Sequence, residues 1–154
     1  MKNPLLVAAD RLRRAYWLVA RPVSVGVLSL VVDEGGRVML VEHTYRHGWY
    51  LPGGGVHRKE PLDEAVRREL REEVGVEPAA EPRLHGVYWN FAQRKSDYIV
   101  VFLVERWSRR PSRSLEIADA QFFAPDALPE DTSPAAQRRI AEWTAGQTGI
   151  YAAW

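Results

Sequence analysis

The sequence predicts an α/β fold in which helices cover both faces of a mixed β-sheet. Short β-rich runs alternate with segments of helical periodicity, and the chain contains no internal repeat or low-complexity tract. Its 154 residues suit one domain with a single hydrophobic core. Near the middle, a helical segment carries apolar residues at every fourth position and is bounded by proline and glycine.

The first half of the chain predicts one helix and three strands. Leu5 to Val19 is predicted as a helix that ends before Arg21-Pro22. The strands are predicted from β-rich runs at Val23 to Val32, Arg37 to Glu42 and Trp49 to Leu51. Between the first two strands, Asp33-Glu34-Gly35-Gly36 indicates a β-hairpin.

The second half predicts three further strands and a closing helix. The strands are predicted at Arg83 to Phe91, Tyr98 to Trp107 and Ala120 to Phe123. The second of these is strongly apolar, which is typical of a central strand. Ser133 to Ala145 is predicted as a helix with Pro134 near its start. Ile150 to Trp154 is unusually apolar for a chain end, so we expect this tail to dock on its own core or on a partner subunit.

The central helix follows a run of turn-forming residues, Leu51 to Gly55, in which glycine lets the backbone approach a ligand closely. Pro61 suits the first helical turn, and Gly75 suits the position just past the helix end. The residues that recur every four positions, and predict a buried stripe, are Leu62, Val66, Leu70 and Val74.

The same helix carries an acidic face. Glu69, Glu72 and Glu73 stand at i, i+3 and i+4, so a helix places their carboxylates side by side, where like charges repel. A cluster of hard oxygen ligands indicates a site for a divalent cation such as Mg²⁺. The alternative is a set of ordinary ion pairs with Arg67, Arg68 and Arg71.

The segment from Gly54 to Val76 resembles the Nudix box, the signature of the Nudix (MutT-like) hydrolases. That signature reads G-x5-E-x7-R-E-U-x-E-E-x-G-U, with U aliphatic, and every fixed position is matched by Gly54, Glu60 and the run Arg68 to Val76. A looser resemblance runs from about Val23 to Pro129. Lys59 stands where the family often has glycine, a departure that leaves the acidic residues intact but can alter the loop.

The resemblance implies a Nudix-type α/β/α sandwich, with residues 1–154 as a single Nudix hydrolase domain. Residues 1–21 are then an N-terminal helical extension, and residues 54–76 form the Nudix box. The implied activity is hydrolysis of a pyrophosphate bond, with Mg²⁺ as cofactor and Mn²⁺ as a substitute.

Roles for individual residues also follow from the resemblance. The implied metal ligands are Gly54, through a nearby backbone carbonyl, and Glu69, Glu72 and Glu73. Glu69 is implied as a ligand or as the base that activates water. Arg68 is implied to orient Glu69 or Glu73 through a bidentate contact. Glu60 is expected to be structural and to hold the start of the helix through Arg68 or a backbone amide.

A further acid often follows the central strand in this family, and Glu116 is the candidate here, as an extra ligand or base. The alternatives are that Glu116 is a solvated loop acid, or that Glu105 or Asp119 takes the role. The basic residues of this region either neutralise substrate phosphates or form a solvated surface, and they are Arg106, Arg109, Arg110 and Arg113.

Aromatic residues near the glycine run and in the following strand allow two interpretations. They either stack on a nucleobase or fill the core, and core filling is the commoner role. These residues are Tyr45, Trp49, Tyr88, Trp89 and Phe91. His57 lies in the box loop within reach of phosphate, although a lone loop histidine usually has no such role.

The first hypothesis for function is hydrolysis of a nucleoside di- or triphosphate, favoured by the compact length and by the strand ending Leu103 to Trp107. The second is hydrolysis of ADP-ribose or a nucleotide sugar. A third, from another class, is a non-catalytic nucleotide- or RNA-binding sensor. Such domains tend to lose acids of the box, and all of them are present here.

Composition limits the partners and the compartment. The net charge of +1 provides no overall field that would attract nucleic acid or an anionic membrane, and the absence of cysteine excludes disulfides and thiol nucleophiles. The first twenty residues contain charges and do not form a secretion signal. We therefore expect a cytoplasmic protein with a small-molecule nucleotide as substrate. A homodimer is compatible with the resemblance, through the N-terminal helix or the tail from Trp143 to Trp154.

Overall fold

A computed structural model describes residues 23–91, 96–112 and 114–154 of the chain. Within these ranges the strands are β1 (Val23–Val31), β2 (Val38–His43), β3 (Trp49–Tyr50), β4 (Gly53–Gly55), β5 (Val76–Pro78), β6 (Arg83–Asn90), β7 (Ser96–Val104), β8 (Trp107–Arg109), β9 (Ile117–Phe123) and β10 (Ile150–Ala153). The helices there are α1 (Leu62–Val74) and α2 (Pro134–Thr144). The helix predicted from Leu5 to Val19 and the predicted phosphate-binding candidate Arg113 lie outside the described residues.

A mixed five-stranded sheet with the order β10-β6-β7-β1-β4 forms the centre of the fold. β1 and β7 run parallel, whereas β7 pairs antiparallel with β6 and β1 antiparallel with β4. A second sheet has the order β3-β2-β9, and β5 pairs with β8. The predicted mixed α/β fold is therefore confirmed.

The two helices pack on opposite faces of the five-stranded sheet. Because side chains alternate along a strand, Val27 of β1 packs in one core with Leu70 of α1. Leu30 of the same strand packs in the other core with Ile140 of α2. The sheet is thus apolar on both faces, as its continuous runs of valine and leucine require. In the described part of the chain, no helix is long and apolar enough to cross a membrane.

The turn predicted between β1 and β2 is present, but the two strands do not form an extended hairpin. The turn is closed by the Asp33 amide, which donates to the carbonyl of Arg37 over 3.0 Å. Among the described residues, ladder pairing between the two runs is limited to a bridge from Val32 to Val38. The reason is that β1 already has β7 and β4 on its two edges, so β2 pairs with β3 and β9 in the second sheet.

The glycine run differs from the predicted turn, because Gly53 to Gly55 form strand β4. α1 then begins after Pro61 and ends at Gly75, whose φ of 69° provides the left-handed cap that the sequence predicted. The predicted buried stripe is correct for Val66, Leu70 and Val74. It is wrong for Leu62, which is the first residue of the helix and is 36% exposed.

Three short strands, β5, β8 and β10, were missed or misplaced. The run predicted from Tyr98 to Trp107 is interrupted after Val104, and β8 begins at Trp107 to pair with β5, which was not predicted. The apolar tail forms β10, which adds to the edge of the main sheet beside β6. The expected docking of this tail is therefore confirmed for the chain's own sheet.

Candidate functional site

The site is built where strand β4 crosses over helix α1. The backbone amide of Gly53 donates a hydrogen bond of 2.8 Å to Oε2 of Glu73. At Gly54, a Cβ atom would lie 2.7 Å from Oε1 of Glu69. The absence of a side chain at Gly54 therefore lets the strand backbone lie directly against a glutamate carboxylate. Strand β4, called the glycine strand below, thus lies against Glu69 and Glu73, two acids that are one helical turn apart in α1.

Arg68 connects the loop before α1 to this acidic face. Its guanidinium donates two hydrogen bonds to Glu60, of 2.6 and 2.9 Å, and one of 2.7 Å to Oε1 of Glu69. It also donates to the carbonyl oxygen of Gly55 over 2.9 Å. Glu60 in turn accepts from the backbone amide of His57 over 2.7 Å. Arg68 therefore fixes the orientation of Glu69, while Glu60 holds Arg68 and the start of the helix.

The ionisation of these groups follows from their contacts. The hydrogen bonds from Arg68 lower the pKa of Glu60 to about 2. Burial raises the pKa of Glu69, against the opposing effect of Arg68. Burial also raises the pKa of Glu73 to about 8, and the nearby carboxylates of Glu69 and Glu116 add to that shift. The site therefore gathers carboxyl groups in a place that water reaches poorly, where their charged forms are unfavourable unless a positive charge lies beside them.

The third glutamate of the acidic face lies further out. The Glu72 side chain is 59% exposed, and its carboxylate lies 3.7 Å from the Arg68 guanidinium. Of the residues implied as metal ligands, the structure brings together Gly54, Glu69 and Glu73, while Glu72 points towards solvent beside them.

Glu116 approaches the same site from the segment before β9. Its carbonyl oxygen accepts a hydrogen bond of 2.8 Å from the amide of Thr44, which fixes the segment next to the end of β2. Its charge acts on both Glu69 and Glu73. By contrast, the alternative candidate Glu105 pairs with Arg83 over 2.7 Å at the surface. The other alternative, Asp119, accepts a 2.7 Å hydrogen bond from the neighbouring Ala120 amide on β9.

The oxygen donors of the glutamates fit a hard divalent cation, although their side chains do not form a complete coordination shell. Within the described ranges, no three His, Asp or Glu side chains are arranged so as to hold a metal ion as they stand. The glutamates nevertheless supply oxygen donors, and their mutual repulsion is what a bound cation relieves. The close approach of Gly54 to Glu69 leaves no room for a side chain at this position.

A cavity of about 390 Å³ opens beside Gly54, between the main sheet and the start of α2. Tyr50 and Trp154 contribute aromatic surface to its lining, and Asn90 and Asp97 contribute polar groups. Its walls come from segments that are far apart in the sequence. No local pattern identified this cavity, and the apolar tail that ends in Trp154 was the one indirect signal.

A compact cluster at the end of β2 holds Arg46 at the edge of this cavity. The Arg46 guanidinium lies 3.5 Å from the centre of the Tyr50 ring, and one of its nitrogens lies 2.8 Å from Nε2 of His43. His43 is 5% exposed, and burial, together with the positive charge of Arg46, lowers the pKa of His43 to about 3. Arg46 was not predicted from the sequence, because a single arginine in a loop carries no local pattern.

The remaining predicted candidates have structural roles in most cases. Tyr88 is fully buried against α2, and Trp49 packs edge-on against Phe123, so the core-filling interpretation holds for both. The side chain of Arg109 donates to the carbonyl of Val74, which ends α1, over 3.1 Å. The ring of His57 lies 3.9 Å from Glu60 rather than in the acidic centre.

Residues 20–144 match the model of the NUDIX domain. Over 56 residues the chain is 39% identical to an RNA pyrophosphohydrolase of Hydrogenovibrio crunogenus, a match that covers 36% of this chain and 33% of that protein. The chain thus spans about a third of the length of the curated relatives it matches.

Two solved structures are similar over most of the fold. A MutT NUDIX hydrolase from Burkholderia pseudomallei superimposes with a TM-score of 0.68 at 27% identity, over 78% of this chain and 97% of that one. A UDP-X diphosphatase superimposes with a TM-score of 0.71 at 25% identity, over 93% of this chain and 75% of that one.

Proposed function

Because the chain belongs to the NUDIX domain family, we propose that it is a Mg²⁺-dependent pyrophosphohydrolase. Its substrate is a nucleoside diphosphate linked to another moiety, and a nucleoside triphosphate is the first candidate. The observation that carries the proposal is the pairing of Glu69 and Glu73 beneath the glycine strand, where Gly53 and Gly54 contact their carboxylates. Glu73 is buried and Glu69 is half-buried, and such a pair of neighbouring acids suits a cation and an anionic substrate better than it suits fold stability.

In this proposal the cation is held by the Gly54 carbonyl and by Glu69, Glu72 and Glu73. Mg²⁺ held by these residues would neutralise charge on the phosphate oxygens and lower the pKa of an attacking water. Glu72 is exposed and unconfined on one side, so it can swing towards the other two acids without disturbing the core.

The chain's own groups then have separate tasks. Arg68 fixes the direction of the Glu69 carboxylate, which serves as ligand or as acceptor of the water's proton. The Gly53 amide fixes Glu73 in the same way. Glu116 supplies a further carboxylate from the opposite segment, as ligand or base. The water attacks phosphorus, the bridging oxygen leaves with the departing phosphate group, and the proton passes to the carboxylate.

The cavity beside Gly54 is assigned to the nucleoside. Its volume of about 390 Å³ lies in the range of small-molecule pockets. The rings of Tyr50 and Trp154 offer surfaces for a base, while Asn90 and Asp97 offer hydrogen-bonding groups for its edge. A nucleoside bound there has its phosphates next to the carboxylates.

Two other substrates are supported by particular similarities. The relatives named RNA pyrophosphohydrolase favour a triphosphate at the 5′ end of RNA, although the match covers a third of their length. The similar fold of the UDP-X diphosphatase favours a UDP-linked substrate, a class that includes nucleotide sugars. Triphosphorylated RNA is therefore tested beside the nucleoside triphosphates, which also tests the expectation that nucleic acid is not a partner of this protein.

The test is a hydrolysis panel with Mg²⁺ or Mn²⁺, with products separated by ion-exchange chromatography. The panel contains nucleoside triphosphates, 5′-triphosphorylated RNA, nucleotide sugars, ADP-ribose and dinucleoside polyphosphates. We expect cleavage of a pyrophosphate bond in one class, and roughly thousandfold slower turnover in Glu73→Gln.

The matched control is Glu64→Gln, which removes the same charge from the exposed first turn of α1. Turnover by this variant should equal that of the wild type. Binding of nucleotides without cleavage of any member of the panel would contradict the proposal and favour the sensor hypothesis.

A further inference from the structure

We infer that Arg46 binds the phosphate group attached directly to the nucleoside, and that His43 and Tyr50 are positioning residues that hold Arg46 for this task. The inference rests on the proposed function, because it assumes a nucleoside in the cavity and its phosphates at the carboxylates. It adds a specific anion-binding group to a site whose other prominent side chains are acids.

The position of Arg46 is the first support. Arg46 lines the cavity together with Gly54, and Gly54 lies against Glu69. Arg46 therefore lines the cavity whose wall includes the strand residue that abuts an acid of α1. A nucleotide that extends from this cavity towards Glu69 can place its first phosphate at Arg46.

The second support is that the side chain is held in place before any substrate arrives. The guanidinium stacks on the Tyr50 ring at 3.5 Å, and the Tyr50 hydroxyl donates a 2.8 Å hydrogen bond to the carbonyl of His47 in the intervening loop. A planar guanidinium fixed in this way loses little conformational entropy when it binds phosphate.

His43 holds the Arg46 guanidinium in place by accepting a hydrogen bond from it, which also fixes the tautomer of the imidazole. Since an arginine can only donate, the 2.8 Å contact requires that Nε2 of His43 accept, so the proton of this imidazole lies on Nδ1. His43 is buried at the irregular end of β2, where the register with β9 shifts between Glu42 and His43. A neutral acceptor at this point orients Arg46 and leaves its positive charge intact, whereas a carboxylate would neutralise that charge.

The charge balance of the site is the third support. A substrate with several phosphate charges enters beside the carboxyl groups of Glu69, Glu73 and Glu116, and each of them that is ionised repels it. A cation held by these acids would offset the repulsion there. Arg46 offsets it at the cavity end of the phosphate chain, where planar guanidinium donors match phosphate oxygens.

The experiment compares the binding of the four ribonucleosides with that of their 5′-monophosphates, by isothermal titration calorimetry in the presence of a chelator. The wild type should bind one monophosphate more tightly than its nucleoside by roughly tenfold or more, the size of one charge-assisted hydrogen bond. Arg46→Gln should lose this preference and keep the nucleoside affinity, which also shows that its cavity is folded.

Two further comparisons separate charge from position. Arg83→Gln removes an arginine from a surface ion pair on β6 and should keep the preference. His43→Leu should weaken the preference, and His43→Gln should retain it, because an amide oxygen can replace Nε2 as acceptor.

The outcomes separate the role of Arg46 from the proposed function. Retention of the monophosphate preference in Arg46→Gln overturns the inference and leaves the proposed function standing. Failure of the wild type to bind any nucleoside or monophosphate overturns both the inference and the assignment of the cavity.

Discussion

Gly54 is a position in β4 at which an acid of α1 leaves no room for a side chain. A Cβ atom there would lie 2.7 Å from Oε1 of Glu69, and the carboxylate would have to move aside. Because that carboxylate is the end of a flexible side chain, we expect Gly54→Ala to fold normally. We expect its turnover to fall by roughly hundredfold, since a displacement of about 1 Å in a catalytic group has that effect.

Gly55 provides the matched control for this substitution. It belongs to the same strand, and a Cβ atom at Gly55 would meet no atom within 4 Å. Gly55→Ala should therefore have the turnover and the melting temperature of the wild type. Equal turnover by the two alanine variants would show that the contact between Gly54 and Glu69 does not position the acid.

Lys59 has an unfavourable backbone conformation at the position where the sequence departs from the Nudix pattern. Its φ of 62° is left-handed, a region that costs a residue with a side chain about 1–2 kcal/mol. Glycine avoids this cost but loses more entropy on folding. We expect Lys59→Gly to stabilise the protein by about 0.5 kcal/mol, measured by urea denaturation.

Arg58→Gly is the control, because Arg58 has an ordinary negative φ. This substitution adds the entropy of glycine without relieving strain, so it should destabilise by about 0.5–1 kcal/mol. Changes of the same sign in the two variants would contradict the assignment of strain to Lys59.

His43 makes the stability depend on pH. Its pKa is about 3 in the folded protein, against an ordinary value of 6.5. Between these values the unfolded chain binds the proton and the folded protein does not, so stability falls as the pH is lowered from 6.5 towards 3. In His43→Gln this component is absent.

The measurement is urea denaturation of both proteins above and below pH 6.5. The wild type should lose more free energy of unfolding than His43→Gln as the pH falls. Parallel losses in the two proteins would mean that His43 becomes protonated in the folded state without cost.

At the scale of elements, an ion pair between the buried Arg139 and the half-buried Glu142 of α2 connects this helix to β6 and to the residue that follows β10. Arg139 is 2% exposed and donates two hydrogen bonds of 2.7 Å to Glu142, which also accepts one of 2.8 Å from the Tyr88 hydroxyl. The Arg139 guanidinium lies 3.9 Å from the Tyr88 ring and 5.2 Å from that of Trp154. One pair of charges therefore organises contacts among three elements.

Glu142→Ala leaves the charge of Arg139 buried without its carboxylate partner. We expect a loss of about 3 kcal/mol in the free energy of unfolding, measured by urea denaturation. Arg138→Ala, at an exposed position of the same helix, should change it by less than about 0.5 kcal/mol. A similar small effect of Glu142→Ala would show that Arg139 reaches water when its partner is removed.

The elements that could be predicted are those whose own residues form a recognisable pattern, such as an apolar repeat or a helix cap. The four-residue apolar repeat and Gly75 identified α1 and its end, and Ser133 with Pro134 identified the start of α2. β5, β8 and β10 have three or four residues each and exist because a neighbouring strand pairs with them. Pairing of this kind depends on tertiary arrangement, which no short stretch of sequence specifies.

For the whole molecule, the site lies where the five-stranded sheet, α1 and the end of β2 meet. The spacing of the box was enough to identify Glu69, Glu73 and Gly54 as neighbours, because one helix and the strand before it carry them. Arg46, Asp97 and Trp154 could not be found in this way, since they reach the cavity from three separate segments. The N-terminal helix, the homodimer and the cytoplasmic location stay predictions.

The central claim is that the carboxylates beneath the glycine strand hold the divalent cation needed for cleavage. Binding of Mn²⁺, followed by electron paramagnetic resonance, tests it most directly in the wild type, Glu69→Gln, Glu73→Gln and the control Glu64→Gln. We expect at least roughly tenfold weaker binding in the first two variants and unchanged binding in the control. Equal Mn²⁺ affinity in all four proteins would contradict the claim and place the cation elsewhere.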